Sequence, residues 1–229
     1  MSKLLTFHND PKLKQKYVDR MKKHAEADNF IQGDYWQNGK GCHIGCLLES
    51  KEPHNRIEKE LGIDIRLSKL MDNLFEGLCN KDAKEFAATT IGKFPVGADS
   101  YVIFAQFMAW LMNDIKKFTK PYSDQRKAIA TVHKLYVRAV NAEGISSDQW
   151  RAAAAAAAYA AAAAYAAAAA AAYAAADAAA AAYAAAAAYA AADAAAAAAA
   201  DDAAADDAEQ GYYKRMAKQL HKTLESYDD

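Results

Sequence analysis

The chain has 229 residues, with 28 Lys+Arg against 29 Asp+Glu and a formal net charge of −1. That length suits one domain plus an appendage, and the lack of a dense basic stripe argues against a nucleic-acid binder. Its three cysteines, odd in number and unevenly spaced, read as reduced thiols rather than a disulfide framework.

The charge is divided unevenly. Residues 1–150 carry 23 Lys+Arg and 19 Asp+Glu, whereas residues 151–229 carry 5 and 10. The N-terminus lacks the long apolar core of a signal peptide, so a cytoplasmic setting is expected.

In chain order, Asp10-Pro11 is a strong helix start, with an acid at the cap and proline at the first helical position. The spacing of Leu13, Tyr17, Met21 and Ala25 predicts a helix to about Ile31, ended by Gly33. Tyr35, Trp36, Gly39, Gly41 and Gly45 crowd the next segment. Pro53 opens a short helix that closes at Gly62. Asp64 starts another, carrying Leu67, Leu70, Met71, Leu74 and Phe75. Asn80 is expected to cap the next helix, and Phe94-Pro-Val-Gly-Ala98 reads as a rigid turn. Asp99 caps the most apolar helix of the head, which marks it as central. Ser123 caps a further one that ends at Gly144. Ser146 and Gln149 form a capping box.

That box launches the alanine tract. From Ala152 to Ala208, 46 of 57 residues are alanine, and tyrosine and aspartate are the sole interruptions. Alanine is the best helix former because it loses no side-chain entropy, so the tract is predicted to be helical. Tyr159, Tyr165, Tyr173 and Tyr183 share about a third of the circumference, and Tyr189 falls outside it. This tyrosine face is the expected surface for a protein partner or a second copy. Alanine is nearly neutral on insertion scales and aspartates recur, so no membrane span is expected. Past the late aspartates, Gly211 fits a break with a short closing helix as well as it fits continuation.

The fold class that follows is all-α. A compact head of about seven helices, residues 1–145, is followed by the alanine-rich region, residues 146–229. That region is expected to be a long helix or helical hairpin packed against the head.

The stretch Gln37 to Cys46 departs from this pattern. Glycines recur at 39, 41 and 45, Cys42 and Cys46 lie four apart, His43 adjoins the first, and His54 follows. Three chemistries compete there with a purely structural role in which the glycines serve packing and the cysteines act as small buried hydrophobes. Cys42 or Cys46 with His43 or His54 as base would make a nucleophilic thiol. Backbone N–H groups at Gly39 and Gly41 with Lys40 would cradle an anion, walled by Tyr35, Trp36 and His24. A metal would need a fourth ligand from Cys79, His24 or His8, and the spacing is not that of a zinc knuckle. No metal and no cofactor is assigned on this reading. A non-enzymatic binding or scaffolding protein is the leading expectation, with a small anion or host component held near Gly39–His54. A thiol-dependent enzyme is the second.

Several phrases carry a resemblance over Leu4 to Leu111. They are Leu-Thr-Phe-His-Asn-Asp-Pro, Ile-Gln-Gly-Asp-Tyr-Trp, Gly-Lys-Gly-Cys-His-Ile-Gly-Cys, Glu-Leu-Gly-Ile, Phe-Glu-Gly-Leu and Phe-Pro-Val-Gly-Ala-Asp. Together with the alanine-rich tract they resemble an uncharacterised family of alanine-rich proteins of bacteria, phages and prophages. The resemblance implies a bacterial or phage-infected cytoplasm and implies no mechanism.

Overall fold

The computed structural model describes residues 3–119, 121, 123–164 and 202–227, and side chains for all of these except 157–164 and 202–207. The described residues are all-α. They form nine α-helices and three short 3-10 turns, and no strand beyond three isolated bridges. The helices are α1 (Pro11–Glu26), α2 (His43–Leu48), α3 (Ile57–Leu61), α4 (Ile65–Gly77), α5 (Asn80–Lys93), α6 (Ser100–Ile115), α7 (Asp124–Val140), α8 (Ser147–Ala164) and α9 (Asp202–Glu225). Two compact units divide the chain: Met1–Phe104 with Gln210–Asp229, and Ala105–Glu209. The arrangement of the alanine tract as rod or hairpin lies outside the described residues, as do the side chains of its tyrosine face.

The expected caps govern most helix starts. Asp10 accepts the Lys12 N–H at 2.8 Å, Asp64 the Arg66 N–H at 2.8 Å, and Ser123 the Arg126 N–H at 3.2 Å. Each satisfies a donor that the first turn leaves without a partner. At α5 the capping position belongs to Cys79 rather than Asn80. Helix α1 stops at Glu26 instead of running to Ile31. Asp28 turns left-handed with φ 51°, and the Asn29 N–H bonds back to the His24 carbonyl. That exit frees Asn29–Ile31 to pair with Gly41.

In the first unit the core is built from Met21 of α1, Ile44 and Leu47 of α2, Leu67, Met71 and Phe75 of α4, and Phe86 and Ile91 of α5, all buried. Burying each such side chain contributes about 1.5–3 kcal/mol. The turn at Phe94–Ala98 is fixed by the N-terminal segment. Thr6 donates to the Ala98 carbonyl and accepts from the Gly97 N–H through its backbone, and its hydroxyl donates to the Pro95 carbonyl at 2.6 Å.

Helix α9 runs through Gly211 without a break. A mid-helix glycine costs roughly 1 kcal/mol relative to alanine, but anchors beyond it hold the helix. Leu220 and Leu224 are fully buried, Lys214 pairs with Asp82, and Lys93 pairs with Glu225. The Gln210 amide accepts the Cys79 N–H and donates to the Gly77 carbonyl.

In the second unit α7 packs on the start of α8. Trp150 lies against Tyr136 with ring centroids 4.9 Å apart, and Ala153 and Ala154 are buried beside them. The Ser146–Gln149 capping box forms in both directions, at 2.9 and 3.2 Å. Among the described residues, no helix is long and apolar enough to cross a membrane.

Candidate functional site

The glycines of the unusual segment have distinct local causes. Gln37 and Lys40 exchange backbone hydrogen bonds across Asn38 and Gly39, whose φ values are 52° and 81°. Asn-Gly is the favoured pair for such a tight turn, because both central residues need positive φ. Gly41 and Gly45 answer to close approach instead. A Cβ on Gly41 would sit 2.0 Å from the Tyr35 carbonyl oxygen, and one on Gly45 would sit 1.4 Å from it. The Tyr35 backbone therefore lies directly on the start of α2.

Of the backbone donors proposed for an anion cradle, the Gly41 N–H is already used, as are those of its neighbours Lys40 and Cys42. The N–H groups of Lys40, Gly41 and Cys42 donate to the carbonyls of Gln37, Asn29 and Asp34. Lys40 itself is exposed, and its charge helps hold the Asp28 carboxyl low, after the larger effect of Lys84.

Both thiols of the segment are buried. Cys46 Sγ donates to the Gly41 carbonyl at 3.3 Å, and burial pushes its pKa up to about 12. Cys42 caps α2, its sulfur accepting the Gly45 N–H at 3.3 Å. Burial, and then the adjacent Asp72 carboxylate, push the Cys42 thiol far above its ordinary range. Both shifts favour the protonated thiol over a nucleophilic thiolate.

The histidines divide among separate surroundings. His43 is wholly buried, edge-on to Phe86 at 5.4 Å, and neither ring nitrogen has a hydrogen-bond partner. Burial lowers its pKa to about 4. His54 shares a 2.7 Å hydrogen bond between Nδ1 and Ser68 Oγ, and its Nε2 lies 3.5 Å from Asp72 Oδ2. Tyr35 stands edge-on to that ring at 5.4 Å. His24 and Trp36 form another group, edge-on at 5.4 Å, with Glu49 3.3 Å from His24 Nε2. The predicted walls thus part company, Tyr35 with His54 and Trp36 with His24.

What gathers around Cys42 comes mainly from α4. Ligand atoms of Cys42, Asp72 and Glu76 all lie within 4.8 Å of one another. Gln32 donates from its side chain to the carbonyls of Phe75, Glu76 and Leu78, and the Gly33 N–H donates to Glu76 Oε2 at 2.9 Å. These bonds fasten the loop after α1 to the end of α4 and set Glu76 beside the thiol. Partial burial at the edge of the site, with the Asp72 charge adding to it, raises the Glu76 pKa. Asp72 is 8% exposed, and its Oδ1 is buried without a hydrogen-bond partner. None of the fourth ligands expected from sequence takes part: Cys79 donates to Asp82, and His8 faces the Lys59 carbonyl.

Asp72 and Glu76 went unread in the sequence, though a signal exists. Ser68, Asp72 and Glu76 recur every fourth residue, which stacks them along one stripe of α4. Compared with family models, curated proteins and solved structures, the chain matches none.

Proposed function

We propose that the chain is a non-enzymatic binding protein whose working site is the Gly39–His54 segment closed against α4. The observation that carries this reading is the pairing of the thiols. Cys42 faces a carboxylate and Cys46 a backbone carbonyl, whereas a thiol enzyme needs an imidazole in hydrogen-bond reach of its sulfur. The acidic surroundings of Cys42 favour a cationic ligand over the anion considered from sequence. A bacterial or phage cytoplasm, where thiols stay reduced, belongs to the same proposal, as does assembly through the tyrosine face of the alanine tract.

Alkylation against pH tests the choice. Cys79 is exposed and serves as an internal standard. At pH 7 Cys79 is expected to label readily, with Cys42 and Cys46 labelling only as the chain unfolds. Labelling of Cys42 as fast as Cys79 would transfer the argument to the thiol enzyme.

A further inference from the structure

Resting on the binding reading above, we infer that Cys42, Asp72 and Glu76 form a site for one divalent metal ion of the zinc class. His54 fixes the orientation of Asp72. Two independent observations point to an ion. First, three donors from two distant stretches converge within 4.8 Å. Tetrahedral zinc with sulfur at about 2.3 Å and oxygen at about 2.0–2.2 Å needs donors roughly 3.5 Å apart. Side-chain rotation of about an ångström closes that gap. Second, Asp72 Oδ1 is an orphan. A buried carboxylate oxygen without a partner is destabilising, and a cation satisfies it directly.

The supporting residues fit the same assignment. Carboxylates that ligate metals are themselves held by neighbours. Here His54 Nε2 faces Asp72 Oδ2 at 3.5 Å, and Ser68 holds the other ring nitrogen at 2.7 Å. Glu76 is held by the Gly33 N–H, and its exposure gives the ion a route from solvent. One thiolate with two carboxylates suits a borderline ion, since magnesium and calcium prefer oxygen alone. Three protein donors leave a fourth position for water or a small ligand. On binding, the Cys42 S–H bond breaks, its proton passes to solvent, and a sulfur–metal bond forms. No redox change is involved.

Cobalt(II) is the probe, added to the reduced, chelator-treated full-length chain. One equivalent is expected to give a thiolate-to-cobalt charge-transfer band that zinc abolishes. Release of a single proton makes affinity rise about tenfold per pH unit. Cys42→Ser should lose the band and Cys46→Ser should keep it. Glu76→Gln keeps an acceptor for the Gly33 N–H, so it should fold normally and bind at least about tenfold more weakly. Glu76→Gln therefore decides the matter even where Cys42→Ser fails to fold. Unchanged affinity in Glu76→Gln, or a band that survives Cys42→Ser, overturns the site. Absence of cobalt binding with both buried thiols still shielded overturns the ion and leaves the binding reading standing. Fast alkylation of Cys42 in the metal-free chain overturns that reading itself.

Discussion

Gly45→Ala is expected to destabilise the protein by roughly 3 kcal/mol or more, at or beyond the upper end of ordinary overpacking. The added methyl would lie 1.4 Å from the Tyr35 carbonyl oxygen and 2.4 Å from its carbon. Both are backbone atoms, so no side chain can rotate away. The strain must be relieved by lifting Asp34–Trp36 off α2, which also breaks the bond from the Cys42 N–H to the Asp34 carbonyl. For a chain of this length the melting temperature should fall by about 6–12 °C. Gly211→Ala is the matched control. It meets nothing within 4 Å in the interior of α9, so it should gain up to about 1 kcal/mol. A Gly45→Ala protein melting within 2 °C of the parent, a difference below about 1 kcal/mol, would show that the Tyr35 backbone does not cross α2 as described.

Acid should unfold the first unit from a higher pH than its carboxylates alone would cause. His43 is buried between Phe86 and Phe75, and burial lowers its pKa to about 4. Asp72 opposes that shift and His221 adds to it. His221 stacks flat on Phe86, ring centroids 5.4 Å apart, and shares a 2.8 Å hydrogen bond with Thr90. Its pKa is also lowered to about 4, by burial and then by Lys93, against Glu225. In the unfolded chain both titrate near 6.5. Between those values the unfolded chain binds protons that the folded one refuses. Stability is therefore complete above about pH 6.5 and falls as the pH drops towards 4. The loss from His43 is about 3 kcal/mol. His221 is partly open to solvent and contributes less. Urea unfolding at pH 7, 6 and 5 measures the slope, and His43→Leu should flatten it. The same slope in His43→Leu would assign the acid sensitivity elsewhere.

The helices were legible because their signals are local. Asp10-Pro11, Asp64, Ser123 and the Ser146–Gln149 box each act within four residues, and each forms as read. The end of α1 was less legible, since the apolar spacing continues to Ile31 while pairing with Gly41 pulls that stretch out of the helix. The site was half legible. Its oddity could be read at Gly39–Cys46, but Gly41 and Gly45 answer to the Tyr35 carbonyl, a contact that no spacing rule announces. Asp72 and Glu76 share a stripe of α4 by spacing, yet that spacing alone does not mark them as a site, for a related reason. On a helix with buried Leu67, Met71, Leu74 and Phe75, two acids read as a solvated edge until the fold sets them against Cys42.

The measurement that bears most directly on the account is anomalous diffraction at the zinc absorption edge, from crystals of the full chain grown with equimolar zinc. One strong peak is expected, bounded by Cys42 Sγ and the carboxylates of Asp72 and Glu76, with His54 still facing Asp72. A peak at Cys79 and Asp82 instead, or an empty space between Cys42 and Asp72 in zinc-saturated crystals, would contradict it.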